Sequence, residues 1–466
     1  MRDSCQFYLL PIGGMATTAL AGLLVEAGFA VAGVDSALYP PASELLAQLG
    51  VPVRLGFDPQ ALPRVERAVV IGNAVPRSNP EVQEVLARGL PYTSQAACLG
   101  ELFLASRRTA VVAGTHGKTT TTALLAHVLT QAGLDPTAFI GGVPRGGKPW
   151  RLGQGIWAVV EGDEYNTAFF DKGPKFLHYH PIVFLVNNVE YDHADIYPSL
   201  DAILAAFRAG VARLGAEGVV VANADDPGAR EVASGAKRVL WFGLGESADV
   251  RATRWGFEDG FLSAELSLLG EPASVRVPLA GRHNLANVLA VATASLVAGV
   301  RPAQLAAALA SFSGVRRRLE VLGEAGGVTV VDDFAHHPTA VRLTLEAAAQ
   351  RFPGRRLVVA FEPRSLTAGR AEFLPAYEQA FQRAQVVVLA PVFHRQRLAP
   401  DQLLDRQALV ARLREKAVHA VAVEEGEDTL EVVCSLLAPG DVFIAMSSGD
   451  FGALPHRVLA ALGGKG

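Results

Sequence analysis

The segment Gly114-Thr115-His116-Gly117-Lys118-Thr119-Thr120 leaves little freedom to the chain around it. An apolar run, Ala110 to Ala113, precedes it, and a helical pattern from Ala123 to Ala132 follows. A strand, a glycine-rich turn and a Lys-Thr pair opening a helix form the arrangement that cradles a triphosphate, because loop N–H groups and the positive helix end converge on the phosphates. Lys118 can reach the β/γ-phosphates of ATP from there, and the Thr119 hydroxyl can hold Mg²⁺. The spacing departs from G-x-x-x-x-G-K-[ST] at its first position, where Val112 replaces glycine. A plain glycine turn capping a helix is the alternative. The Lys-Thr pair between an apolar strand and a helix disfavours it.

Apolar runs separated by helical patterns extend this unit in both directions. Upstream, Phe7 to Ile12 reads as a strand, Gly13-Gly14 as a turn, Thr17 to Ala27 as a helix and Ala30 to Val34 as a strand ending at Asp35. A glycine turn with an acid about 20 residues later is the nucleotide-binding form of a βαβ unit, although G-x-G-x-x-G itself is absent. Downstream, Trp157 to Val160 leads to Glu161, and Ile182 to Val189 leads to Glu190-Tyr191-Asp192-His193. A third group follows Gly314: Val328 to Val331, Leu357 to Phe361, Val386 to Leu389 and Val442 to Met446. Continuous apolar strands of this kind belong to parallel sheets covered on both faces. The expectation is an α/β chain of three domains, at 1–107, 108–313 and 314–466, with the phosphate loop in the central one.

Composition limits the partners. The chain has 466 residues, half of them hydrophobic, so each of three domains can bury a core. A net charge of −4 supplies no basic surface for nucleic acid or for an acidic membrane. Cys5, Cys98 and Cys434 lie far apart, which suits neither a disulfide framework nor a metal cluster and fits a reducing cytoplasm. Residues 4 to 25 are uncharged, but Pro11, Gly13 and Gly14 interrupt them and Asp3 sits beside Arg2, so a strand–loop–helix explains them better than a leader peptide. No later stretch is long and apolar enough to span a bilayer.

Polar residues cluster after the strands, where ligands gather in open α/β sheets. Glu161 stands where a Mg²⁺-binding acid belongs, yet Asp163 and Glu164 lie too close for spacing alone to choose among them. His193 sits among Glu190, Asp192 and Asp195 and reads either as a structural histidine or as part of a metal site. Asn284 and Asn287 are three residues apart and share one helix face. Arg316-Arg317-Arg318 is either a solvated charge run or a source of an arginine that reaches a transferred phosphoryl group from another domain. Seven of the 42 basic residues are lysine, and none lies between Lys175 and Lys237. That scarcity makes Lys118 in the loop less easily accidental.

Taken in order, these pieces resemble the Mur ligase family across essentially the whole chain. The matching segments are Gly114 to Thr120, Glu161-Gly162-Asp163-Glu164, Asn187 to His193, Gly281-Arg282-His283-Asn284-x-x-Asn287, Arg317-Arg318-Leu319-Glu320 and Asp332 to Thr339. Within the family, Tyr39-Pro40-Pro41, Ala168 to Lys172, Phe361-Glu362-Pro363-Arg364-Ser365 and Ser448-Gly449-Asp450-Phe451-Gly452 are similar to members that act in peptidoglycan recycling.

The resemblance implies a UDP-sugar-binding Rossmann-like domain, a central ATPase domain and a C-terminal Rossmann-like domain that brings the amine. It implies an ATP-dependent ligation of UDP-N-acetylmuramate to a muropeptide-derived peptide through an acyl phosphate, as part of cell-wall biogenesis. Addition of L-alanine to the same sugar is the alternative. A P-loop switch or transport ATPase is a further one, disfavoured by the long C-terminal α/β region. Carried over residue by residue, Gly114, Thr115, His116, Gly117, Lys118, Thr119 and Thr120 hold ATP. Thr119, Glu161 and His193 serve Mg²⁺, and Asn284 and Asn287 contact the nucleotide. Arg318 and Asp333 complete the site when the domains close. Gly13, Gly14 and Asp35 bind the UDP-sugar, and Arg364 binds a carboxylate of the acceptor. The lysine-free stretch 176–236 argues against a carbamylated lysine at a second metal site. Asn166 and Leu366 depart from the usual pattern, and Leu366, which lacks an amide found there in relatives, predicts a relaxed choice of the third acceptor residue.

Overall fold

The computed structural model describes residues 4–464; Arg2 and Asp3, which bear on the leader reading, lie outside them. Among the described residues, three large sheets, each formed by a consecutive part of the chain, and a two-stranded ribbon, Asn166–Ala168 with Asp171–Pro174, make a three-domain α/β architecture. The first sheet has five parallel strands in the order Val53–Leu55, Val31–Asp35, Ser4–Leu10, Arg64–Ile71, Tyr92–Ser94. Its first crossover is the helix Met15–Glu26, which follows the Gly13-Gly14 turn.

The second sheet has ten strands. At its centre Pro181–Val186 pairs in parallel with Arg108–Ala113 and with Val219–Asn223, and Arg108–Ala113 pairs in parallel with Trp157–Glu161. Val183, Phe184, Leu185 and Val186 are fully buried, as their continuous apolar run requires of a strand covered on both faces. One end of this sheet is an antiparallel meander, Val250–Glu258, Phe261–Leu268 and Glu271–Val277, that the apolar-run pattern did not reveal. Its middle strand buries Leu262, Ala264, Leu266 and Leu268 and exposes Ser263 and Glu265. That two-residue period is the mark of a sheet with one solvated face.

The third sheet runs Glu320–Ala325, Val328–Asp333, Val442–Met446, Leu357–Phe361, Val386–Leu389, His419–Ala422. Its inner strands are the expected parallel ones, and an antiparallel edge and a parallel edge strand are added to them.

Two boundaries differ from the pattern in the sequence. The helix after the phosphate loop spans Lys118–Gln131, so it begins more than a turn before Ala123. Thr119 to Thr122 have modest intrinsic helix propensity, but all four are buried against the sheet, and packing overrides propensity. The expected strand Ile182 to Val189 ends at Val186, because the side chains of Asn187 and Asn188 turn to bond the phosphate loop instead.

The sheets are joined by specific contacts. Between the first two, Trp150 packs so closely on the helix Met15–Glu26 that a Cβ on Gly22 would lie 2.1 Å from its ring. The Trp150 indole also donates to Glu26 Oε1 at 2.9 Å. Glycine is thus required at position 22 by close approach alone.

Candidate active site

The phosphate loop is held open by its neighbours. Gly117 precedes the helix with φ +81°, a left-handed conformation, and an added Cβ would stand 2.5 Å from Asn287 Oδ1. The His116 amide donates to Asn188 Oδ1 at 2.7 Å, and the Thr115 amide donates to the Asn188 carbonyl at 3.0 Å. Asn187 donates to Thr121 Oγ1 at 3.0 Å. These bonds leave the first turn of the helix free at its positive end, the setting in which an anion binds.

Thr119 is the meeting point of three parts of the chain. Its hydroxyl donates to Glu161 Oε1 at 3.1 Å, and Arg318 Nη2 donates to the same hydroxyl at 3.2 Å. Glu161 also accepts the Gly141 amide at 2.7 Å. Burial raises the Glu161 pKa above the usual carboxylate value, and the nearby Lys118 charge offsets part of that rise. The oxygen donors of Thr119 and Glu161 suit a hard cation such as Mg²⁺.

Lys118 is turned inward. Its ammonium donates to Glu164 Oε2 at 2.8 Å, to Glu164 Oε1 at 2.9 Å and to the Gly114 carbonyl at 2.7 Å. Burial alone would lower the Lys118 pKa, but the charges of Glu164 and Asp163 outweigh it and raise the value. Glu164 Oε1 also lies 2.8 Å from His193 Nε2. His193 has φ +56° and is buried; burial pulls its pKa down, and the bond to Glu164 and the charge of Asp192 more than reverse that. Asp163 is held by Lys175 Nζ at 2.7 Å. Burial would raise the Asp163 pKa, yet the two lysines bring it down to about 2. The three acids that spacing could not order are therefore separated by their partners: Glu161 faces Thr119, Asp163 faces Lys175, and Glu164 faces Lys118 and His193.

Behind the loop, between the second and third sheets, lies a cavity of about 540 Å³ lined by His116, Gly117, Asn284, Asn287, Arg318 and Asp333 among others. Asn287 donates to Asn284 Oδ1 at 3.0 Å, so the two asparagines do share a face. Asp333 accepts the Leu319 amide at 2.6 Å and the Ala335 amide at 2.8 Å, which fixes the turn that presents Arg318. His283 also lines the cavity, and its Nδ1 is buried without a partner. Burial, with the Arg318 charge, holds the His283 pKa down to about 4, so the ring is neutral and has a free hydrogen-bonding position to offer.

Among the described residues, His116, Glu190 and His337 bring one possible ligand atom each within 4.8 Å of the others. His337 Nδ1 already accepts the Thr339 amide at 3.3 Å, and Glu190 Oε2 accepts the Thr339 hydroxyl at 2.7 Å. The group is a hydrogen-bonded seam between the phosphate loop and the helix Pro338–Arg351. Sequence reasoning did not assign roles to Glu164, Glu190, His283 or Thr339; an acid or histidine beside a motif carries no signal of which partner it takes.

The outlying residues fall in two places. In the first domain the Gly13 amide donates to Asp35 Oδ2 at 2.8 Å, so the turn and the acid are joined to each other. In the third, Arg364 Nη1 lies 3.1 Å from Asp450 Oδ1 and 3.5 Å from Glu362 Oε2, and its guanidinium sits 4.0 Å from the Phe393 ring centre. Arg364 thus pairs with acids of its own domain. Its side chain keeps 26% exposure at the carboxyl end of the strand Leu357–Phe361.

A phosphate loop, an acid at the end of the neighbouring strand and an arginine brought from the third domain form a P-loop nucleotide site, and family comparison identifies it as that of an ATP-dependent ligase. Residues 6–107 match the Mur ligase family catalytic domain, 157–295 the Mur ligase middle domain, and 317–449 the Mur ligase glutamate ligase domain. The chain belongs to the Mur ligase family. It is 36% identical to the UDP-N-acetylmuramate–L-alanyl-γ-D-glutamyl-meso-2,6-diaminoheptandioate ligase of Escherichia coli K12, over 99% of each chain. It is also 36% identical to the UDP-N-acetylmuramate–L-alanine ligase of Symbiobacterium thermophilum, over 99% of this chain and 95% of that one. Among solved structures, the murein peptide ligase of Psychrobacter arcticus superposes with a TM-score of 0.77 at 30% identity, over 98% of this chain and 99% of that one. No described helix is long and apolar enough to cross a membrane.

Proposed function

We propose that the protein joins the lactyl carboxylate of UDP-N-acetylmuramate to the amine of a muropeptide-derived peptide, L-alanyl-γ-D-glutamyl-diamino acid. ATP drives the reaction, which serves peptidoglycan recycling in the cytoplasm. The observation that carries this reading is the convergence of Glu161 and Arg318 on the Thr119 hydroxyl, with Lys118 on the adjoining turn. The geometry supports transfer of a terminal phosphoryl group to the sugar carboxylate, followed by attack of the amine on the acyl phosphate to give an amide, ADP and phosphate. No serine or cysteine nucleophile motif competes with that path.

Residues 1–107 are assigned to the UDP-sugar, 108–313 to ATP and 314–466 to the acceptor. Gly114 to Thr120 receive the phosphates, and Asn284 and Asn287 line the nucleotide cavity with His283. Mg²⁺ would be held by Thr119 and Glu161 and would neutralise charge between a carboxylate and the anionic nucleotide; His193, expected beside the metal, is bonded to Glu164 instead. Arg318 adds a preorganised positive charge beside Thr119. Gly13, Gly14 and Asp35 shape the turn offered to the UDP-sugar. Arg364 presents a planar fork suited to a carboxylate.

The same sequence identity to an L-alanine-adding relative keeps that smaller acceptor as the second reading. Purified protein with ATP, UDP-N-acetylmuramate and either L-alanine or the tripeptide decides between them. Amide formation with the tripeptide alone is expected; amide formation with L-alanine alone overturns the peptide assignment, and ATP hydrolysis without any amide overturns both.

A further inference from the structure

We infer that Glu164 is a positioning residue that withholds Lys118 from the phosphates until a nucleotide displaces it. The inference rests on the reading of Lys118 as a phosphate-binding lysine. An ammonium has three donors and no acceptor. Here two are directed at the Glu164 oxygens, at 2.8 and 2.9 Å, and one is shared by the Gly114 and Thr115 carbonyls, at 2.7 and 3.4 Å. None remains for a ligand, so an arriving phosphate must replace one of these partners. Glu164 is the charged one, and it is 1% exposed, so water does little to screen the pair.

The neighbouring acids add charge near Lys118 but make their hydrogen bonds elsewhere. Asp163 is bound by Lys175, and Glu161 accepts from Thr119 and from the Gly141 amide. Glu164 is anchored as well: Tyr197 donates to its backbone carbonyl at 2.7 Å, and its Oε1 stands 2.8 Å from His193 Nε2. When Lys118 moves toward a phosphate, the Glu164 carboxylate stays behind with His193 as its remaining partner. Glu164 therefore has two effects of opposite sign. It opposes nucleotide binding through Lys118, and it supports turnover by holding His193.

The test is calorimetric titration with ADP in the absence of divalent metal, on wild type, Glu164→Gln, Lys118→Ala and the double variant. Glu164→Gln keeps the shape and removes the charge. Its ADP affinity is expected to rise roughly tenfold, the scale of a lost charge-assisted competitor. The rise should vanish in the Lys118→Ala background. In steady state, the KM for ATP and kcat should both fall. Glu164→Asp, one methylene shorter, should shift affinity in the same direction and keeps the question open to measurement if the glutamine variant does not fold. Unchanged or weaker ADP binding by a folded Glu164 variant overturns the inference. So does a gain that persists without Lys118. Lys118→Ala with wild-type ADP affinity would instead remove the phosphate role of Lys118, a different failure.

Discussion

Arg318 and Thr119 are 199 positions apart, yet the Arg318 guanidinium donates to the Thr119 hydroxyl at 3.2 Å. One residue lies at the entry to the third sheet, and the other opens the helix of the phosphate loop. The contact is made only when the second and third domains are docked. Arg318 is fixed from behind, with its guanidinium 4.7 Å from the Phe334 ring centre and its turn fastened by Asp333. Burial lowers the Arg318 pKa, and the charges of Asp333 and Glu161 oppose that fall. A site completed across a domain boundary excludes water from a hydrolysable intermediate.

The structure shows the second and third domains docked at this contact, and a more open arrangement is expected to be populated without ligands. Solution scattering should show the radius of gyration falling when an ATP analogue and UDP-N-acetylmuramate are added together. Arg318→Ala should abolish most of that contraction and lower kcat about 10²–10³-fold, the usual effect of losing one preorganised charge contact. An unchanged radius in the wild type would mean that the site is permanently assembled.

Gly117→Ala should be among the most damaging single-atom-scale changes. The position has φ +81°, and the new Cβ would stand 2.5 Å from Asn287 Oδ1 and 3.0 Å from Asn187 Nδ2. Left-handed strain on a non-glycine residue costs ~1–3 kcal/mol, and the clash adds to it. If half of that strain falls on the bound state, ADP affinity is expected to fall about 2- to 13-fold. Alanine with wild-type affinity and melting temperature would show that the loop relaxes freely.

Acid should lower the stability of the folded chain through two desolvated histidines. Burial holds His283 and His337 down to about 4, against an ordinary value of 6.5. Between those values the unfolded chain binds protons that the folded one refuses. Stability consequently falls as pH drops from about 6.5 toward 4, and it is flat in these two groups above 6.5. Urea unfolding at pH 7.5 and at pH 5 should show the difference, and replacing both histidines with asparagine should reduce it. An equal slope in the double variant would assign the pH dependence to other groups.

Acceptor choice should be broader than a single diamino acid. Leu366 follows Ser365 at the carboxyl end of the strand Leu357–Phe361 and offers no hydrogen bond to a polar side-chain end. Tripeptides ending in diaminopimelate, lysine or ornithine, supplied in equal amounts, should all be consumed. Exclusive use of the diaminopimelate form would refute the relaxed choice.

The α/β character, the parallel strands and the phosphate loop were legible from the sequence because they depend on local order. A continuous apolar run such as Val183 to Val186 demands burial on both faces, and a glycine followed by Lys-Thr at a helix start demands an anion. The meander Val250–Glu258, Phe261–Leu268, Glu271–Val277 was less legible, since its apolar residues alternate with polar ones and no apolar run marks it. The Lys-Thr pair marked the helix start, but the apolar periodicity began only at Ala123, because burial of Thr119 to Thr122 is a tertiary fact.

Partner choice was left to the tertiary structure. Glu161, Asp163 and Glu164 are equivalent by spacing, and they differ only because Thr119, Lys175 and Lys118 come to them from elsewhere in the fold. Arg316, Arg317 and Arg318 read as one charge run. Yet the Arg317 guanidinium donates to the Ser447 carbonyl at 2.7 Å, whereas Arg318 alone donates to the phosphate-loop threonine. Side-chain identity sets what chemistry a residue can perform. Which atoms it faces depends on contacts between residues far apart in the chain, and those are decided by how the three sheets pack.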